Sequence, residues 1–146
     1  MKTISLRVAS VLTLMLALAH TRGFATPGHD AAQFATHKVM AANAFHLMNA
    51  TRTYWDLYIG FGLIISALMI MQAALLWFVA DAEKQRPGEN KALIATLLVG
   101  NLAVFGLDAR YLFIAPVVST GLIVLAIGVA LLPLGARTRS AEANLA

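Results

Sequence analysis

Residues 57–80 read LYIGFGLIISALMIMQAALLWFVA, twenty-four positions without a charge and with Ser66 and Gln72 as the notable polar interruptions. At about 1.5 Å per residue a helix of that length reaches about 36 Å, more than the roughly 30 Å of hydrocarbon in a bilayer. Aromatic residues mark both ends, Tyr54, Trp55 and Tyr58 before and Trp77 with Phe78 after, and amphipathic rings of this kind settle at headgroup depth. The stretch predicts a transmembrane helix.

The composition agrees with it. Of 146 residues 60% are hydrophobic and 12% charged, and the mean hydropathy is +0.75, against about 45–50% apolar and about 25% charged in ordinary soluble domains. Disorder, collagen-like repeats and coiled coil are excluded by the same figures. The absence of cysteine excludes disulfides, thiolate metal sites and a cysteine nucleophile. The net charge of +4 does not point to nucleic acid, because the basic residues are scattered singly between apolar blocks and form no patch. The partner this chain is built for is the lipid bilayer.

Three further apolar blocks lie at about residues 4–20, 92–108 and 111–134. The first is open to two readings. Lys2 and Arg7 give it a basic start and Ala17-Leu18-Ala19 an A-x-A site, so it is either a signal peptide cleaved before His20 or a retained span. The connection 81–91 carries six charges and Pro87-Gly88 and reads as an exposed turn. After Asp108, only Ala109 and Arg110 separate the third and fourth blocks, which predicts an antiparallel hairpin. Pro116 suits a first helical position, which would leave residues 111–115 as an interfacial ledge.

The longest connection opens at Thr26-Pro27-Gly28 and becomes Ala-rich. Over about 29–52 it is expected to form an amphipathic helix, with Phe34, Ala41, Phe45 and Met48 on one side, lying on the membrane or capping the other helices. The expected fold is therefore all-α, an integral membrane four-helix bundle in one domain over 1–146, with an additional amphipathic helix in the first extracytoplasmic loop.

Cytoplasmic termini would place Lys2, Arg7, Lys84, Arg86, Lys91, Arg137 and Arg139 inside, against Arg22, Lys38, Arg52 and Arg110 outside. This seven-to-four bias predicts an inner-membrane protein with both termini cytoplasmic if the first span is retained. The outer face then collects His20, His29, His37, His46, Tyr54, Asp56, Asp108, Arg110 and Tyr111, and of these His20, Tyr54, Asp56, Arg110 and Tyr111, with Tyr58, form the candidate polar site. An ionised carboxylate near hydrocarbon calls for a partner, and Asp56 is expected to pair with Arg110, either as a substrate or proton site or as a structural salt bridge. His20 either reaches that pair or faces headgroups. Gly60, with the neighbouring small pair Gly62 and Ser66, is expected to let helices approach closely. Asn101 and Gln72 are expected to make interhelical hydrogen bonds. His37 and His46 point apart on a helix and no H-x-x-x-H pair occurs, so neither a metal nor another cofactor is expected.

The strings Tyr54-Trp55-Asp56-Leu57-Tyr58-Ile59-Gly60-Phe61-Gly62 and Arg110-Tyr111-Leu112-Phe113-Ile114-Ala115-Pro116 resemble an uncharacterised family of small bacterial four-helix membrane proteins with YWDxYxGFG and RYxFxAP segments. The resemblance spans His20 to about Leu134 and departs at Arg22, where a small or apolar residue is expected. It implies four transmembrane helices with the first retained, and no activity. It marks Asp56, Tyr58, Gly60, Gly62, Arg110, Tyr111 and Pro116 for mutation. Two functions fit the residues: a non-catalytic binding or accessory protein for a lipid-like molecule or membrane partner, or a membrane enzyme or proton-linked carrier using His20, Asp56 and Arg110.

Overall fold

The computed structural model describes residues 1–25 and 30–132. The expected turn at Thr26 to Gly28, His29, the end of the fourth block at 133–134, and Arg137 with Arg139 lie outside the described residues. The elements are α1 (Lys2–Ala25), α2 (Ala31–Ala42), β1 (Ala44–Leu47), β2 (Ala50–Thr53), α3 (Tyr54–Gln85), α4 (Lys91–Tyr111) and α5 (Ile114–Leu131). The structure is predominantly helical, and α1, α3, α4 and α5 are each long and apolar enough to cross a membrane, the make-up of a multi-pass membrane protein.

Two compact units divide the chain. One holds Met1–Thr13 and the described residues from Gln72 onward, the other Leu14–Met71.

In the first unit the contacts run in a ring through four helices. The Ser10 hydroxyl of α1 donates to the Ala73 carbonyl of α3 at 2.7 Å, and Gln72 of α3 donates from Nε2 to Oδ1 of Asn101 on α4 at 2.8 Å. Phe105 of α4 packs on Gly121 of α5, and Ser5 of α1 donates to the Ala126 carbonyl of α5. Leu6, Leu76, Ile94, Ile123 and Ile127 fill the centre. Asn101, Asp108, Glu83 and Thr120 are also buried, whereas Phe78 and Val99 are each 67% exposed and Leu125 is 65% exposed. Polar groups inside and large apolar groups outside suit a hydrocarbon solvent, which offers buried polar groups no competing partner.

Several boundaries differ from those expected. Asp81, Glu83 and Lys84 are helical, because α3 runs on to Gln85 before the turn in which Gly88 takes φ +89°. Glu83 is 3% exposed. Its carboxylate accepts the Gly88 N–H at 2.8 Å and so satisfies the turn. Likewise α4 continues through Asp108, Ala109 and Arg110, and the connection to α5 is Leu112–Phe113. Pro116 is the third residue of α5, preceded by Ile114 and Ala115. It fits there because the first four N–H groups of a helix have no intrahelical acceptor to lose.

In the second unit the expected helix over 29–52 is replaced by a shorter one and a hairpin. The α2 N-cap is Asp30, whose carboxylate accepts the Gln33 N–H at 2.8 Å. Asn43 stops the helix, its side chain and its backbone N–H both returning to the Val39 carbonyl. β1 and β2 then pair antiparallel, Ala44 opposite Thr53 and Leu47 opposite Ala50, with a His46 Nδ1 to Thr51 Oγ1 contact of 2.8 Å across the strands. Thr51 and Thr53, β-branched and alternating, favour the extended chain. Phe45 and Met48 are therefore strand and turn residues, and on α2 it is His37 and Met40 that are half-buried while Phe34 stays exposed.

Candidate functional site

The second unit carries the site, and its framework starts where β2 meets α3. Thr53 and Asp56 form a reciprocal cap: the Asp56 carboxylate accepts the Thr53 N–H at 2.8 Å and the Thr53 hydroxyl accepts the Asp56 N–H at 3.1 Å. This is the capping-box geometry, with Asp in the position usually held by Glu. The spacing Thr53-x-x-Asp56 that makes it possible is present in the sequence. Asp56 is exposed, and within its own unit its carboxylate accepts the Thr53 N–H. In the other unit, Arg110 lies over the Tyr111 ring, 5.5 Å from its centroid, and both side chains are exposed.

From this cap α3 presents two concave surfaces. The larger is a cleft of about 480 Å³ lined by Gly23 and Phe24 of α1, Gln33, Thr36, His37 and Met40 among the α2 residues, and Trp55 and Tyr58 of α3. Its rings are in sequence of contact. His37 stands edge-on to Trp55 at 4.1 Å, Trp55 stacks on Tyr58 at 5.3 Å and 27°, and Tyr58 meets Phe24 at 6.4 Å and 85°. Beyond Phe24 lies His20, at 5.1 Å. His20 Nε2 and His37 Nδ1 are buried without a hydrogen-bond partner among the described residues; each ring packs against an aromatic neighbour, a contact in which an N–H can face a π cloud. Tyr54 points elsewhere, meeting the Phe45 ring of the hairpin at 5.2 Å and a tilt of 46°.

The cleft wall is held by close helix packing. A Cβ placed on Gly62 would lie 2.8 Å from the Phe24 ring, so only glycine admits that ring. One turn on, the Ser66 hydroxyl accepts from Thr21 at 2.8 Å and donates to the Gly62 carbonyl. Gly60 is different, with nothing within 4 Å of a Cβ placed on it. It belongs to the second surface, a groove of about 180 Å³ lined by Arg52, Asp56, Leu57, Gly60, Phe61 and Ile64.

The structure thus brings His20 and Tyr58 into one aromatic chain and sets Asp56 and Gly60 in a neighbouring groove. Phe24, His37 and Trp55 were not among the expected site residues. Trp55 was visible as an interfacial ring, but Phe24 and His37 gain their place only from the way α1 and α2 fold back onto α3. Among the described residues no three His, Asp or Glu side chains come together as metal ligands would. No family model, curated protein or solved structure matches this chain.

Proposed function

We propose that this chain is a small multi-pass protein of a bacterial inner membrane, a four-helix membrane bundle with cytoplasmic termini, that binds a lipid-like molecule without transforming it. The single observation that carries the reading is the 480 Å³ cleft walled by Phe24, Trp55, Tyr58 and His37. Its size is that of a small-molecule pocket, walled by aromatic rings together with the polar Gln33, Thr36 and His37, and it opens beside the aromatic end of a helix fit to span a bilayer. Engagement of Asp56 in the α3 cap gives the most conspicuous carboxylate of the site a structural task, which favours binding over proton chemistry.

The test is purification of the full chain in mild detergent, followed by native mass spectrometry and lipid extraction. A reproducible small apolar adduct is expected on the wild type and is lost in Trp55→Ala and Tyr58→Ala while both variants remain folded. If no adduct exceeds that of empty micelles, or if both variants keep it, the binding reading is wrong.

A further inference from the structure

We propose that the groove beside the cleft is a binding site for a zwitterionic glycerophospholipid with a primary ammonium headgroup, its phosphate on Arg52 and its ammonium on Asp56. The proposal uses residues other than the cleft rings and stands independently of the function proposed above.

The order of groups along the groove follows the order of groups in such a lipid. Charge occurs at one end only, as Arg52 and Asp56, and the lining from there on is Leu57, Gly60, Phe61 and Ile64. Depth agrees with this order. From Tyr58 to Trp77, the aromatic markers of the two interfaces, is about 28 Å of helix, close to the hydrocarbon thickness. Asp56 and Arg52 then sit at headgroup level, while Gly60 and Ile64 lie one and two turns deeper, about 6 and 12 Å along the helix.

Arg52 and Asp56 feel each other's charge without closing an ion pair, and both keep unused hydrogen-bonding positions. The ion pairs among the described residues, Arg7–Asp81 and Arg86–Glu89, use neither. Asp56 spends Oδ2 on the Thr53 N–H, and an ionised carboxylate has about four acceptor positions in all. Arg52 spends one N–H on the Thr51 carbonyl out of about five, which leaves the planar donor set that suits a phosphate. Gly60 leaves the groove floor open, since a Cβ placed on it would have no neighbour within 4 Å.

Competing headgroups match less well. An anionic lipid satisfies Arg52 but brings no cation to Asp56. A quaternary ammonium has no N–H to give a carboxylate and is held best by several aromatic faces, whereas this groove has Phe61 alone.

The experiment is native mass spectrometry of the full chain after exchange into micelles containing equal amounts of chain-matched phosphatidylethanolamine, phosphatidylcholine and phosphatidylglycerol. The wild type is expected to retain the ethanolamine lipid in preference to both others. Asp56→Asn keeps a side chain able to cap α3 and is expected to lose the preference of ethanolamine over choline. Arg52→Gln removes the phosphate partner common to all three lipids and is expected to lower retention of all of them together. Gly60→Leu puts a branched side chain into the groove from a Cβ position with no neighbour within 4 Å and is expected to abolish retention in a protein that still folds, as its thermal midpoint shows. Equal retention of the three lipids by the wild type overturns the proposal, as does an unchanged preference in both Asp56→Asn and Gly60→Leu. Should Asp56→Asn fail to fold, Gly60→Leu decides alone.

Discussion

Gly60 and Gly62 lie two residues apart on α3, and alanine at the two positions is expected to have opposite effects. Both exchanges gain the same helix-propensity term, about 0.5–1 kcal/mol. At Gly60 nothing lies within 4 Å of the new methyl group, so the gain stands alone. At Gly62 the methyl would lie 2.8 Å from Cδ2 and Cε2 and 2.9 Å from Cγ of Phe24. Cγ is the root of the ring, so relief requires the whole side chain or the α1 backbone to move, not a swing of a flexible tip. Phe24 is 7% exposed and abuts Tyr58, which closes the obvious escape. Overpacking of this kind costs about 1–3 kcal/mol. The propensity term cancels between the variants, so the difference between Gly60→Ala and Gly62→Ala is the overpacking cost itself, about 1–3 kcal/mol. Reversible unfolding in mixed micelles, read by Trp fluorescence, measures it. Adding Phe24→Leu to Gly62→Ala should recover most of the loss, whereas Phe24→Leu alone should destabilise. Equal midpoints for the two alanine variants would refute the packing of α1 on α3 described here.

Three further outcomes are expected. Replacing Gln72 and Asn101 together by Leu should be milder than the Asn101→Leu exchange alone, because the single change strands a donor among the helices; the coupling in a double-mutant cycle should be about 0.6–1.7 kcal/mol. Glu83→Ala removes the acceptor of the Gly88 N–H and should raise protease cleavage within residues 86–90, while Glu83→Gln, which still offers an oxygen, should stay close to wild type. Met48 holds φ 53° at the tip of the hairpin and is 96% exposed; Met48→Gly should slow hydrogen exchange of the β1 and β2 amides by an amount corresponding to about 1 kcal/mol.

Of the fold, the four long helices were legible, because bilayer thickness demands a run of about twenty apolar residues and such runs are plain in a sequence. Their ends were not. Asp81, Glu83, Asp108 and Arg110 suggest loops by their charge, yet α3 and α4 run through them, since a helix keeps its backbone satisfied and charge can be accommodated near its ends. The hairpin was hidden by alanine, which permits a helix without requiring one; Asn43 as a stop and the Thr51-x-Thr53 alternation were the signals that outweighed it. Gln72 and Asn101 were each readable as a residue in need of a partner, but their mutual bond depends on the rotation of one helix against another, which sequence spacing along either helix does not contain. The same holds for His37 and Phe24.

The junction of β2 and α3 has no spare residue: the strand ends at Thr53 and the helix starts at Tyr54. The Thr53–Asp56 cap and the bond from the Tyr54 N–H to the Asn43 carbonyl close it from both sides. The hairpin is therefore geared to the helix, with no swivel between them. Inserting one residue after Thr53 would advance its phase by about 100° around the helix axis, and about 3.6 residues would be needed to bring it round again. Length at this point acts as an angle, so indels here should be tolerated, if at all, in steps of three or four residues.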